Sequence, residues 1–140
     1  MKSPTFFLFC ARLNQAINLR NSVFTVPYSQ LTLKFLYSLK RNHLIHGYQI
    51  ISKKDITYST IYVITIYLIY SGNLPLFSHL FIYSKKKQFL TLSHYSLIKF
   101  QKQHQTFLSP IFFLHTNKGF LTQFESIQSG IGGKLCVYLY

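Results

Sequence analysis

An uncharged stretch, ITYSTIYVITIYLIY at residues 56–70, constrains the fold more than any other part of the chain. It opens a longer run without charge that ends at Tyr83. Lys53, Lys54 and Asp55 stand before this run, and Lys85–Lys87 follow it. Because apolar side chains avoid water, a run this rich in them must either enter a bilayer or be buried against other apolar groups.

The residues that flank the stretch are typical of helix ends. Ser52–Asp55 matches the [ST]-x-x-[DE] capping pattern, and Gly72 followed by Pro75 suits the end of a helix. A helix over 53–71 would be about 28 Å long, close to the roughly 30 Å of a bilayer core. The sequence therefore predicts a mostly α chain with one candidate transmembrane helix at about 53–76. The sequence indicates no definite globular fold. The basic segments on either side of the helix are poorly specified, and the predicted location is a membrane that the chain crosses once.

Two alternatives to the membrane helix remain open. Ile, Val, Thr and Tyr favour extended structure, and an uncharged, Pro-free run of them is prone to aggregate in water. Apolar residues occupy both faces of such a strand, because Ile64 and Ile66 alternate with Val63. This pattern favours either a β-prone, aggregating chain or a buried strand. A helix in a soluble core is the third possibility.

Three segments follow from this division of the chain. Residues 1–52 form a basic, acid-free segment, in which the spacing of apolar residues indicates a short amphipathic helix at 30–44. Residues 53–83 form the apolar candidate membrane segment. Residues 84–140 form a basic C-terminal segment, polar and aromatic, which we expect to be poorly ordered.

The charge is strongly one-sided. Fifteen Lys and Arg face two acids, Asp55 and Glu125, which gives a net charge of +13. A chain this basic attracts anionic partners without selecting one, so both RNA and acidic lipid are expected partners, in addition to the lipid bilayer itself. Lys2, Arg12 and Arg20 lie in an acid-free leader, which leaves a mitochondrial location as an alternative.

Five residue types common in most proteins are scarce. Ala, Val, Gly, Asp and Glu together total 14 of 140 residues, and the codons of all five begin with G. No helix, strand or binding site requires this deficit. A translated frame in AT-rich, non-coding DNA would produce it, so the composition predicts the product of a dubious or newly arisen open reading frame.

The sequence predicts no catalytic, cofactor-binding or metal-binding residues. Two carboxylates 70 positions apart give little material for acid–base chemistry, so we expect no enzyme and no cofactor. His43 and His46 could share a helix face, but no third metal ligand has a recognisable spacing. Gln128–Lys134 resembles a phosphate loop only in part, because Gln128 stands where the first glycine belongs. Cys10 and Cys136 form no motif.

Three hypotheses about function follow. The first is a membrane-associated product with no established role. The second is a small basic protein that binds RNA, such as an organellar ribosome-associated factor, because Lys85–Phe107 interleaves cations with aromatic residues. The third is a small subunit of a membrane complex, in which partner helices satisfy the threonines of the apolar run.

Overall fold

The computed structural model describes residues 3–82, 91–103 and 110–140, and the chain divides into two compact units, 1–78 and 79–140. The elements of the first unit are α1 (Pro4–Asn18), β1 (Val23–Pro27), α2 (Gln30–Arg41), β2 (Gly47–Lys54), β3 (Thr60–Tyr67), β4 (Tyr70–Ser71) and β5 (Leu74–Pro75). Those of the second unit are β6 (Leu80–Ile82), β7 (Thr91–Leu92), α3 (His94–Gln103), β8 (Ile111–Thr116), β9 (Gly119–Thr122), α4 (Gln123–Ser129) and β10 (Gly133–Leu139).

The apolar run supplies the central strand of the first unit. β3 pairs antiparallel with β1 on one side and with β2 on the other, in the order β1-β3-β2. Ile64 lies opposite Val26 of β1 and opposite Ile50 of β2. Over residues 63–67 β3 has a partner at each edge, so its peptide groups there are hydrogen-bonded without a membrane or a second chain.

One face of this sheet packs against helices. Ile64, Ile66 and Val26 are fully buried and, by register, point to the same face. The ring of Phe9 in α1 stacks on Phe24 of β1 at 6.4 Å, and meets Phe35 of α2 edge to face at 5.9 Å. Burial of each such side chain contributes about 1.5–3 kcal/mol, so this cluster stabilises the unit.

The structure corrects the predicted membrane helix. Within 53–76, Lys53 and Lys54 end β2, residues 60–67 form β3, and Gly72 (φ 63°) lies in the turn between β4 and β5. The expectation of an aggregating chain is also wrong, because β3 lies inside a folded sheet. None of the helices in the described residues has the length and apolarity needed to cross a bilayer.

The helix prediction was wrong because the residues that resemble helix ends belong to strands and turns in this fold. Nine of the fifteen residues at 56–70 are Ile, Val or Thr, which are stiff at χ1 and pack well on a pleated sheet. The Ser52–Asp55 pattern ends a strand rather than beginning a helix. The local pattern was compatible with both structures, and pairing with β1 and β2 selected the strand.

The flanks of the apolar run, expected to be poorly specified, contain defined elements. On the N-terminal side, α2 occupies Gln30–Arg41, inside the range 30–44 where a short amphipathic helix was expected. Its buried side chains are Thr32, Phe35, Leu36, Ser38 and Leu39. Their spacing of three and four residues gives the helix one buried face and one exposed face.

In the second unit, β10 is the central strand. It pairs antiparallel with β6, with β8 and, at Gly133 and Lys134, with β7, while β8 and β9 form a hairpin. The core of this unit contains Leu92, Leu97, Phe112, Leu114 and Leu135, with Phe100 and Ile127 packed against it. α3 and α4 therefore bury apolar side chains against the sheet.

A capping box begins α4. The Thr122 hydroxyl accepts a hydrogen bond from the Glu125 amide at 3.4 Å, and Glu125 Oε2 accepts one from the Thr122 amide at 3.0 Å. The pattern T-x-x-E is readable in the sequence, as it was at Ser52–Asp55. Here a helix does follow it, and Gly130 ends that helix in the left-handed conformation at φ 68°.

Candidate nucleic-acid interface

Both acidic side chains of the protein accept hydrogen bonds from nearby backbone amides. Asp55 Oδ1 accepts a hydrogen bond from the Ile56 amide at 2.8 Å, and Glu125 belongs to the capping box of α4. Two carboxylates cannot neutralise fifteen Lys and Arg. The protein surface therefore carries a large excess of positive charge, which attracts polyanions at long range.

The exposed face of α2 arranges this charge around an aromatic ring. Lys34, Tyr37 and Arg41 follow one another at spacings of three and four residues, so they lie on one side of the helix. All three are exposed, Tyr37 by 59%. The Arg41 guanidinium carbon lies 5.9 Å from the centre of the Tyr37 ring, within the range of a cation–π contact. We call these three residues the α2 stripe.

The second unit carries a similar arrangement on α3. Tyr95, Lys99 and Lys102 lie at spacings of four and three residues, and all are exposed, Tyr95 by 85%. Leu97, by contrast, is buried in the core of the unit. We call Tyr95, Lys99 and Lys102 the α3 stripe. It belongs to the basic and aromatic segment 85–107 singled out in the sequence, and the rest of that segment, 85–90 and 104–107, lies outside the described residues.

A basic turn joins β8 to β9. The Thr116 hydroxyl donates to the Gly119 carbonyl at 2.9 Å and accepts from the Lys118 amide at 3.2 Å, which fixes the turn. Gly119 has φ 94°, a conformation that favours glycine. Asn117 and Lys118 are exposed at its tip. The turn thus presents one side-chain amide and one cation on a hydrogen-bonded backbone.

The glycines of the partial phosphate-loop motif serve close packing of strands. A Cβ on Gly132 would lie 2.3 Å from the Leu92 carbonyl oxygen, and one on Gly133 would lie 2.7 Å from that of His115. Lys134 follows as an exposed residue of β10. The segment enters a strand rather than a helix, so it lacks the helix N-terminus that holds phosphate in such loops.

The histidine pair does not share a helix face. α2 ends at Arg41, and His43 lies beyond it at φ 57°, followed by His46 just before β2. Across residues 3–82, 91–103 and 110–140, no three His, Cys, Asp or Glu side chains cluster as metal ligands.

Both thiols are buried side chains. Cys10 and Cys136 are each 3% exposed, and burial raises the pKa of each to about 12 from an ordinary value of 9.0. The thiolate is the nucleophile and the metal ligand, and at neutral pH almost none of it forms here. The cysteines therefore contribute to packing rather than to chemistry.

Comparison with known proteins assigns the chain to a family. A family model described as Ribosomal protein S8 matches residues 8–140, nearly the whole length. A comparison with curated protein sequences finds no significant match.

The family match decides between the hypotheses drawn from the sequence. It overturns the dubious reading frame as the main interpretation, and it supports the alternative of a small basic ribosome-type protein that associates with RNA. The membrane location is wrong, and the lipid bilayer has no support as a partner, whereas the mitochondrial alternative stays a prediction. Members of this family are RNA-binding ribosomal proteins, which confirms that the chain is not an enzyme. The chain belongs to the ribosomal protein S8 family.

Proposed function

We propose that this protein binds ribosomal RNA as a structural component of the small ribosomal subunit, and that the α2 stripe and the α3 stripe are two of its contacts. The observation that carries the proposal is the arrangement that the two stripes share: each places two cations and one tyrosine on the exposed side of a helix. Both lie within the matched residues 8–140.

The chemistry of the stripes suits RNA better than a smaller anion. Lys and Arg bind phosphates and release their counterions, which supplies most of the affinity but no selectivity. An exposed tyrosine ring adds a surface on which an unpaired base stacks, worth about 1–3 kcal/mol per base. Two cations and one ring on the same side of a helix therefore match a polyanion that carries flat bases.

The test compares two ways of lowering the net charge by the same amount. Lys34→Gln with Arg41→Gln removes two charges from the α2 stripe, and Lys99→Gln with Lys102→Gln removes two from the α3 stripe. The control, Gln15→Glu with Gln128→Glu, changes the net charge equally at exposed positions outside the stripes. Binding to purified small-subunit ribosomal RNA is measured by filter binding over a range of salt concentrations.

We expect each stripe variant to weaken binding by about tenfold or more, and to lower the slope of log K against log salt by about 1.5–2, because two phosphate contacts are lost. The control should change affinity by less than about threefold, since it alters only the long-range field. Equal losses in all three variants would contradict the proposal, because they would reduce binding to bulk electrostatics.

A further inference from the structure

The hairpin of β2 and β3 extends beyond the part of its sheet that the helices cover. Every residue from 49 to 62 is exposed, and strand pairing continues to Lys54 opposite Thr60. From residue 50 to the turn this is roughly 17 Å of paired strand. We call residues 49–62 the arm. Its tip carries two of the most exposed large side chains of the described chain, Ile56 at 96% and Tyr58 at 90%.

The turn at the tip is a defined structure. The Asp55 amide donates to the Ser59 carbonyl at 2.9 Å, and the Tyr58 amide donates to the Asp55 carbonyl at 2.9 Å. Asp55 Oδ1 accepts from the Ile56 amide at 2.8 Å, and the hydroxyls of Thr57 and Ser59 are 3.0 Å apart. These bonds close a three-residue loop, 56–58, of the kind whose last residue adopts the left-handed conformation.

Tyrosine is the unexpected residue in this loop. Tyr58 has φ 59°, where glycine is usual and bulky side chains are rare. Its ring is 90% exposed, so burial within the protein does not explain why a tyrosine stands there. A side chain held in a disfavoured backbone conformation, without a packing reason, indicates a functional constraint.

Charge on the arm indicates the kind of partner. Lys53 and Lys54 are exposed neighbours in β2, and because successive side chains of a strand point to opposite faces, they place one cation on each side of the arm. Asp55, the only acid in residues 1–78, is bonded to the turn backbone. The partner should therefore be anionic on both sides of the tip, and should offer a flat group to the tyrosine ring.

We infer that the arm inserts into ribosomal RNA, with Tyr58 stacked on an unpaired base and with Lys53 and Lys54 on phosphates at either side. This inference rests on the proposed function, since it names a further contact with the same RNA. A narrow two-stranded arm with cations on both faces fits between RNA strands, whereas a flat protein surface would meet only one of the two lysines.

The chain contains no tryptophan, so Tyr58→Trp introduces a single fluorescent reporter at the tip. The matched control is Leu74→Trp, at a 69% exposed position next to the turn between β4 and β5 in the same unit. Each variant is titrated with purified small-subunit ribosomal RNA, and binding is measured independently by filter retention. We expect both to bind, and only the Tyr58→Trp fluorescence to be strongly quenched by stacking. Binding without quenching of Tyr58→Trp would overturn the inference and leave the proposed function standing, whereas absence of binding by both variants would contradict the proposed function.

Substitutions at the same position separate stacking from apolar contact. Tyr58→Phe should bind like the unmodified protein, whereas Tyr58→Leu and Tyr58→Gly should weaken binding by about 5- to 100-fold. Tyr58→Gly should leave the melting temperature unchanged or raise it, because glycine suits φ 59°. Binding of Tyr58→Gly within twofold of the unmodified protein would overturn the inference. The inference would also be overturned if Tyr58→Gly bound purified RNA normally but was incorporated poorly into small subunits. That result would assign the arm to a protein partner.

Discussion

Ile66→Asp should unfold the first unit, whereas Ile61→Asp on the same strand should be tolerated. Ile66 is fully buried and lies between Phe24 and Tyr48 in the sheet, so its replacement places a carboxylate among apolar side chains on the buried face. We expect a loss of more than about 4 kcal/mol in the free energy of unfolding, comparable to the total stability of a small domain. Ile61 is 44% exposed on the arm, and its replacement should cost less than about 1 kcal/mol.

Urea denaturation followed by circular dichroism measures both changes, and hydrogen exchange of peptides from β3 localises them. The pair also separates the strand from the helix predicted by the sequence. Both positions lie inside 53–76, and in a membrane-spanning helix a carboxylate at either one would be costly. Similar losses for Ile61→Asp and Ile66→Asp would therefore contradict the central-strand assignment.

Gly132→Ala should strongly destabilise the second unit. The added Cβ would lie 2.3 Å from the Leu92 carbonyl oxygen and 3.0 Å from the Ser93 Cα, and these backbone atoms cannot rotate away as a side chain does. β10 must then shift away from β7, where Gly133 pairs with Leu92. We expect a loss of about 2–3 kcal/mol or more in the free energy of unfolding.

Gly47→Ala is the matched control for this change. A Cβ on Gly47 would meet nothing within 4 Å, and its φ lies outside the left-handed region, so we expect a change of less than about 0.5 kcal/mol. Thermal unfolding of the two variants side by side decides the matter. If Gly132→Ala were as stable as Gly47→Ala, the close approach of β10 to β7 would be wrong.

Local signals in the sequence accounted for only part of the fold. The spacing of Phe35, Leu36 and Leu39 indicated a helix where α2 lies. The apolar periodicity of an amphipathic helix is contained within one short stretch of sequence, so it can be read without knowing the rest of the fold. The sequence of β3 does not in the same way distinguish a strand from a helix. Its two partners, β1 and β2, lie before it in the chain and are themselves irregular in pattern, so only the pairing of Ile64 with Val26 and Ile50 distinguishes the strand from an apolar helix.

The candidate interface was visible in outline only. The excess of cations over acids indicated an anionic partner, and the basic, aromatic segment at 85–107 contains the α3 stripe. The sequence did not indicate the arm, because Lys53 and Lys54 before an apolar run are also typical of the end of a membrane helix. The turn at 55–59 contains no glycine, asparagine or proline, so the usual sequence signal of a hairpin is absent there. The composition gave the most misleading prediction, that of a dubious reading frame. A deficit of five residue types whose codons begin with G is compatible with a folded protein.

A competition between RNAs at near-physiological salt determines whether the protein distinguishes ribosomal RNA from other RNA. Labelled small-subunit ribosomal RNA is bound to the protein and displaced with unlabelled transfer RNA or with unlabelled ribosomal RNA. A ribosomal protein that recognises its site should prefer ribosomal RNA by about 10³-fold or more. Displacement by transfer RNA at equal nucleotide concentration would show instead that the charge of +13 alone accounts for binding.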